Sequence, residues 1–212
     1  MRLLSKLFKF VITTSVKYNI DESHGLSHSM NVLQNSHNIY ESELVNNPEL
    51  YKMKKIIYVS SVLHDMCDKK YVVESDGINN IQDFLEDKLS NNEILHVKNI
   101  VSTMSYSTVK RCGFPDLGEI QMAYHIVREA DLLSAYDFDR CMIYKMYNDG
   151  SDIKHAFDDA VDLFYNRVFQ HETDKLLITK YSKDLHYKLK EIAINRIIVW
   201  DKILSNSGFY TL

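Results

Sequence analysis

The stretch IIYVSSVLHD (residues 56–65) decides the fold class. Ile56, Ile57, Val59, Val62 and Leu63 recur over successive turns of a helix, predicted over residues 49–65, and the adjacent pair His64–Asp65 closes it. A carboxylate at the end of so apolar a helix calls for an explanation, because burying it without a counter-charge is costly.

Upstream, Val32, Ser36, Ile39 and Tyr40 share one face of a helix predicted over residues 24–44. Asp21-Glu22-Ser23 reads as its cap and Asn46-Asn47-Pro48 as its end. The opening MRLLSKLFKFVITTSVKY sets Leu3, Leu7, Phe10 or Val11, and Thr14 on one helical face. Lys6 and Lys9 interrupt its apolar run and no small-residue cleavage site follows, which argues for a first helix of the fold rather than a signal peptide. With few lysines, it is a weaker match to a membrane-surface helix.

Downstream, residues 68–77 read as irregular. Helices follow in INNIQDFLEDKL and NEILHVKNIVSTMSYS, then a loop over residues 110–118 holding Gly113, Pro115 and Gly118. A long helix is expected over residues 119–140, a turn at Asp149-Gly150, and two amphipathic helices ending near Trp200 and Leu204. Six Gly and two Pro in 212 residues favour long helices over a strand-rich sandwich. The expectation is an all-α bundle of about eight to ten helices. It forms one domain over residues 1–212, with a motif-bearing core near 15–140 and helices near 152–206 packing on it.

At 45% hydrophobic and 25% charged residues, the chain can bury a core. Its net charge of −4 argues against an extended nucleic-acid surface, and no segment is apolar enough to span a bilayer. A small anionic substrate is compatible, since a bound metal inverts the local field. Cys67, Cys112 and Cys141 are odd in number and lack CxxC spacing, which points away from disulfides or structural zinc and toward a reducing, cytoplasmic setting.

The chemistry gathers at polar groups on apolar faces. His28 shares a face with Val32 and Ile39; alone it would read as a core histidine. Asp131 lies on the stripe of Ile120, Tyr124 and Val127, just after Glu129-Ala130. One divalent ion held by His28, His64, Asp65 and Asp131 would satisfy all four. Two imidazoles and two carboxylates suit manganese, iron, nickel, cobalt or zinc, and magnesium less well. Such a set leaves positions for water and a substrate oxygen.

These residues also carry a resemblance. H28…H64-D65…D131 resembles the metal signature of the HD-domain phosphohydrolases, all-helical proteins named for the His-Asp pair. The chain is most similar to the small stand-alone bacterial-type members, through DESHGLSH (residues 21–28), VLHDMCDKKY (62–71), READLLSAYDFDR (128–140) and the serine-containing STMSYS (102–107). The likeness covers residues 15–140. It departs at Glu129, where relatives usually carry Asp, and at Tyr136-Asp137-Phe138-Asp139, where they show a small, glycine-containing continuation.

The resemblance implies that the four ligands meet on one ion, manganese first among the candidates, with nickel, cobalt, iron, zinc or magnesium as alternatives. It implies hydrolysis of a phosphate ester or anhydride, with nucleotides as substrates and nucleoside triphosphate pyrophosphatase as one such activity. On that basis Asp68 is the candidate to orient or deprotonate water, Lys70 to neutralise substrate phosphate, and His24 to contact substrate or donate a proton. Arg128 and Arg140 read by default as exposed salt-bridging residues, though either could hold phosphate. The remaining histidines, His37, His96, His125, His155, His171 and His186, carry no functional expectation. Alternatives are a cyclic phosphodiesterase, an alarmone hydrolase, disfavoured by Asp68-Lys69 where that branch has Glu-Asp, and a metal- or nucleotide-binding regulatory module without turnover. A monomer or a homodimer would fit.

Overall fold

A computed structural model describes residues 2–205, among which there are ten α-helices and no strand. The all-helical expectation therefore holds. The chain divides into two compact units, Met1–Ser134 and Ala135–Leu212.

In the first unit, α1 (Leu3–Tyr18) buries Leu7, Val11 and Thr14, the face that the spacing selects, and ends at Asn19 in the left-handed region (φ 53°). A short 3-10 turn, Glu22–His24, leads into α2 (Leu26–Leu44). A second 3-10 segment, Pro48–Met53, leads into α3 (Lys54–Leu63). From Ile56 onward every residue of α3 but Tyr58 is buried, so α3 is the central helix, packed against α1, α2, α5 and α7. It tightens into a 3-10 turn, His64–Cys67, before α4 (Glu74–Leu85). Then come α5 (Asn91–Thr103), opened by a capping box between Ser90 and Glu93, the short α6 (Tyr106–Cys112) and α7 (Gln121–Ser134).

The second unit holds α8 (Phe138–Asp149), α9 (Ile153–Asn166) and α10 (Lys180–Ser205). Its core is aromatic: Phe138 meets Phe164 edge-on at 5.2 Å, and Phe164 meets Phe169 at 5.4 Å. Asp139 on α8 is gripped by the Arg196 guanidinium and by the Trp200 indole N–H (2.7 Å), both on α10.

Several boundaries differ from the sequence expectation. The helix expected over residues 119–140 is two. Ser134 bonds back to the Ala130 carbonyl at the end of α7, and Asp137 caps α8 by accepting from the Arg140 backbone N–H. The helix expected from residue 24 starts at Leu26, because Asp21 caps a separate turn. Residues 68–77 are not irregular throughout: α4 begins at Glu74 and includes Gly77. Serine at 105 starts a new helix where a continuous one was expected. No helix among the described residues is long and apolar enough to cross a membrane.

Candidate metal centre

Three elements of the first unit bring the four expected ligands together. His28 sits in the first turn of α2, His64 and Asp65 in the 3-10 turn after α3, and Asp131 on α7. Small residues let the helices approach. Ser29, Ser36, Ser60 and Ser61 are fully buried on α2 and α3, and the Ser36 and Ser61 hydroxyls bond each other at 2.6 Å. Asn35 ties α2 to α7 by donating to Ser134 Oγ (2.9 Å) and the Ala130 carbonyl (3.4 Å), beside Asp131.

The donor atoms converge. His28 Nε2 lies 3.1 Å from His64 Nε2. Asp65 Oδ2 lies 3.3 and 3.2 Å from these two nitrogens, and Asp131 Oδ1 lies 3.3 and 3.6 Å from them. Atoms bound to one ion at about 2.0–2.2 Å stand roughly 3 to 3.5 Å apart, so the spacing fits a shared divalent cation. His28, His64 and Asp65 form the tightest group, with all donor atoms within 4.8 Å.

Two further observations agree with that fit. His64 Nδ1 lies 2.9 Å from the Ser61 carbonyl, which can only accept; the proton of the neutral ring is therefore on Nδ1, and Nε2 presents its lone pair. Asp65 Oδ2 is buried and has no hydrogen-bond partner among the described residues. His28 Nδ1 likewise has none, so that ring's polar contacts are all on its Nε2 side.

The electrostatics are those of a charge-dense cluster. Burial disfavours a charged His64, but the Asp65 and Asp131 carboxylates outweigh it and hold His64 well above its ordinary value. Burial also opposes ionisation of Asp65 and Asp131, and the neighbouring histidines hold both well below the usual carboxylate range. Burial, then the Asp65 charge, pushes the Cys67 thiol up to about 12. Asp65 is 13% exposed and Asp131 34%, so the cluster opens to solvent on the Asp131 side.

Asp68, Lys70 and His24 form a second group. Lys70 Nζ lies 3.4 Å from Asp68 Oδ2 and 3.5 Å from His24 Nε2. The His24 ring stands 6.1 Å from the His28 ring, which places this group at the border of the cluster. His24 is on the 3-10 turn and not on the helix of His28.

Sequence reasoning missed Asp21, Ser23 and Tyr71. Asp21 read only as a cap, yet it is buried and its carboxylate accepts from the Tyr71 hydroxyl. No local signal joins residues 50 positions apart. Arg128 is not the exposed residue expected: it is 2% exposed, 3.4 Å from Glu129 and 4.7 Å from the Phe114 ring centre. Arg140 belongs to the second unit.

The chain matches no family model and no curated protein sequence. A crystal structure of a Lactobacillus plantarum protein, solved as a structural-genomics target, is similar in fold. It aligns over 96% of this chain and 97% of its own, with a TM-score of 0.70 at 14% identity.

Proposed function

We propose that this chain is an HD-type, metal-dependent phosphohydrolase acting on a phosphate ester or anhydride, and that its substrate is a nucleotide. One observation carries the reading: ligand atoms of His28, His64 and Asp65 all lie within 4.8 Å of one another, and Asp131 Oδ1 lies 3.3 and 3.6 Å from the two imidazole nitrogens. A divalent ion there, manganese first among the candidates, would polarise a phosphoryl oxygen and acidify a bound water.

The rest belongs to the side chains. His64 is held in its ligating tautomer by the Ser61 carbonyl. Asp65 and Asp131 supply the negative charge that selects a cation. Lys70, about half exposed, offers a positive charge to a substrate phosphate, and Asp68 beside it can orient water. Both ring nitrogens of His24, the neighbouring imidazole, are already engaged, which supports a mononuclear centre over the two-metal site of a cyclic phosphodiesterase. Nucleoside triphosphate pyrophosphatase activity is the specific form we propose.

Metal content of the purified protein, compared with His64→Ala and Asp131→Ala, tests the centre; unchanged metal in both variants overturns it. Release of phosphate or pyrophosphate from a nucleotide panel with Mn, Ni, Co or Mg tests the activity. No turnover of any nucleotide by metal-loaded protein would leave a binding module in its place.

A further inference from the structure

His24 lies between two environments whose chemistry fixes its ring. On one side is Asp21, whose buried carboxylate can only accept. Its Oδ1 accepts from the Ser23 backbone N–H (2.8 Å) and from the Ser23 hydroxyl, and its Oδ2 accepts from the Tyr71 hydroxyl. Each hydroxyl has one proton, and that proton goes to Asp21. Both hydroxyl oxygens also face His24 Nδ1, Ser23 Oγ at 2.7 Å and Tyr71 Oη at 3.0 Å. With their protons committed, they accept from it, so the hydrogen is on Nδ1.

On the other side stands Lys70, its Nζ 3.5 Å from His24 Nε2. An ammonium only donates, so Nε2 must accept. Two ends of the ring, with no residue in common, select the same tautomer. A turn cap would need Ser23 alone, and would have no use for a hydroxyl 50 positions along the chain.

We propose that Asp21, Ser23 and Tyr71 lock His24 as its Nδ1–H tautomer, and that His24 thereby positions Lys70 to meet a phosphate oxygen. The anion's identity rests on the phosphohydrolase reading; the tautomer does not. His24 is then a positioning residue and not the proton donor that its place in the sequence suggests. Its Nε2 and Asp68 Oδ2, 3.4 Å from Lys70 Nζ, hold the ammonium from two directions. The Lys70 side chain is 48% exposed, so a ligand can reach it from solvent.

Long-range 1H–15N correlation spectra of the full chain with Mg2+ test this through the ring nitrogens. The wild type should show His24 protonated at Nδ1 and accepting at Nε2. Lys70→Ala should move the Nε2 signal toward that of an unbonded lone pair and leave Nδ1–H in place. Ser23→Ala with Tyr71→Phe should let the Nε2–H form appear; Tyr71→Phe alone should shift the ring in the same direction by less, and serves if the double variant does not fold. Inorganic pyrophosphate should move the wild-type Nε2 signal as it draws Lys70 away, and should bind Lys70→Ala roughly tenfold more weakly, the loss of one charge-assisted hydrogen bond. An Nε2–H wild type, or a ring indifferent to the Ser23 and Tyr71 changes and to pyrophosphate, overturns the inference. A pyrophosphate response without turnover of any nucleotide would retain it and remove the hydrolase reading.

Discussion

Gly77 on α4 runs so close to Cys67 that a β-carbon at position 77 would stand 2.6 Å from the Cys67 α-carbon. Cys67 ends the turn that carries His64 and Asp65. Gly77→Ala must therefore push α4 and that turn apart, at a cost of about 1–3 kcal/mol. Thermal melting should show the loss, and metal affinity should fall with it. A variant that melts earlier but binds metal as tightly as wild type would show that α4 does not hold the turn.

Arg128 and Glu129 are both buried, 3.4 Å apart, with 2% and 0% side-chain exposure. Removing one partner takes this ion pair from a charge that stays buried. Arg128→Met should destabilise the first unit by about 3–5 kcal/mol, whereas adding Glu129→Leu should recover much of it. Denaturant midpoints of the two single variants and the double variant give the coupling.

Burial, helped by the Arg128 charge, pushes His125 down to about 4. Its folded value lies below the unfolded value near 6.5, so the unfolded chain takes up the proton first as the solution is acidified. The stability His125 contributes is complete above about pH 6.5 and is lost as pH falls toward 4. Urea midpoints between pH 7 and 4.5 should fall less steeply in His125→Gln than in the wild type. Parallel slopes would mean that the ring is hydrated in the fold.

Metal loading should raise the melting temperature. A ligand at a hundred times its Kd adds about 2.7 kcal/mol, or roughly 5–10 °C for a protein of this size. His28→Ala should abolish the shift produced by Mn2+, because it removes a nitrogen that meets both carboxylates at 3.3 Å. A full shift in that variant would place the ion elsewhere.

Much of this was legible in the chain. Apolar spacing gave α1, α2 and α3 their buried faces, and His28, His64 and Asp65 lie together beside them, with Asp131 of α7 3.3 Å from His28. What periodicity could not supply was the tightening of α3 into a 3-10 turn at His64, since the same residues suit either helix. The break after Ser134 was visible only as a cap signal at Asp137. Tyr71 was beyond reach because its role depends on Asp21, 50 positions earlier in the chain.

Trp200, the chain's single tryptophan, donates its indole N–H to Asp139 within the second unit. Its emission is therefore a built-in reporter for the second unit, while an ion at the proposed centre would report on the first. Followed together along one denaturation curve, the two signals will reveal whether the units melt as one cooperative body or in sequence.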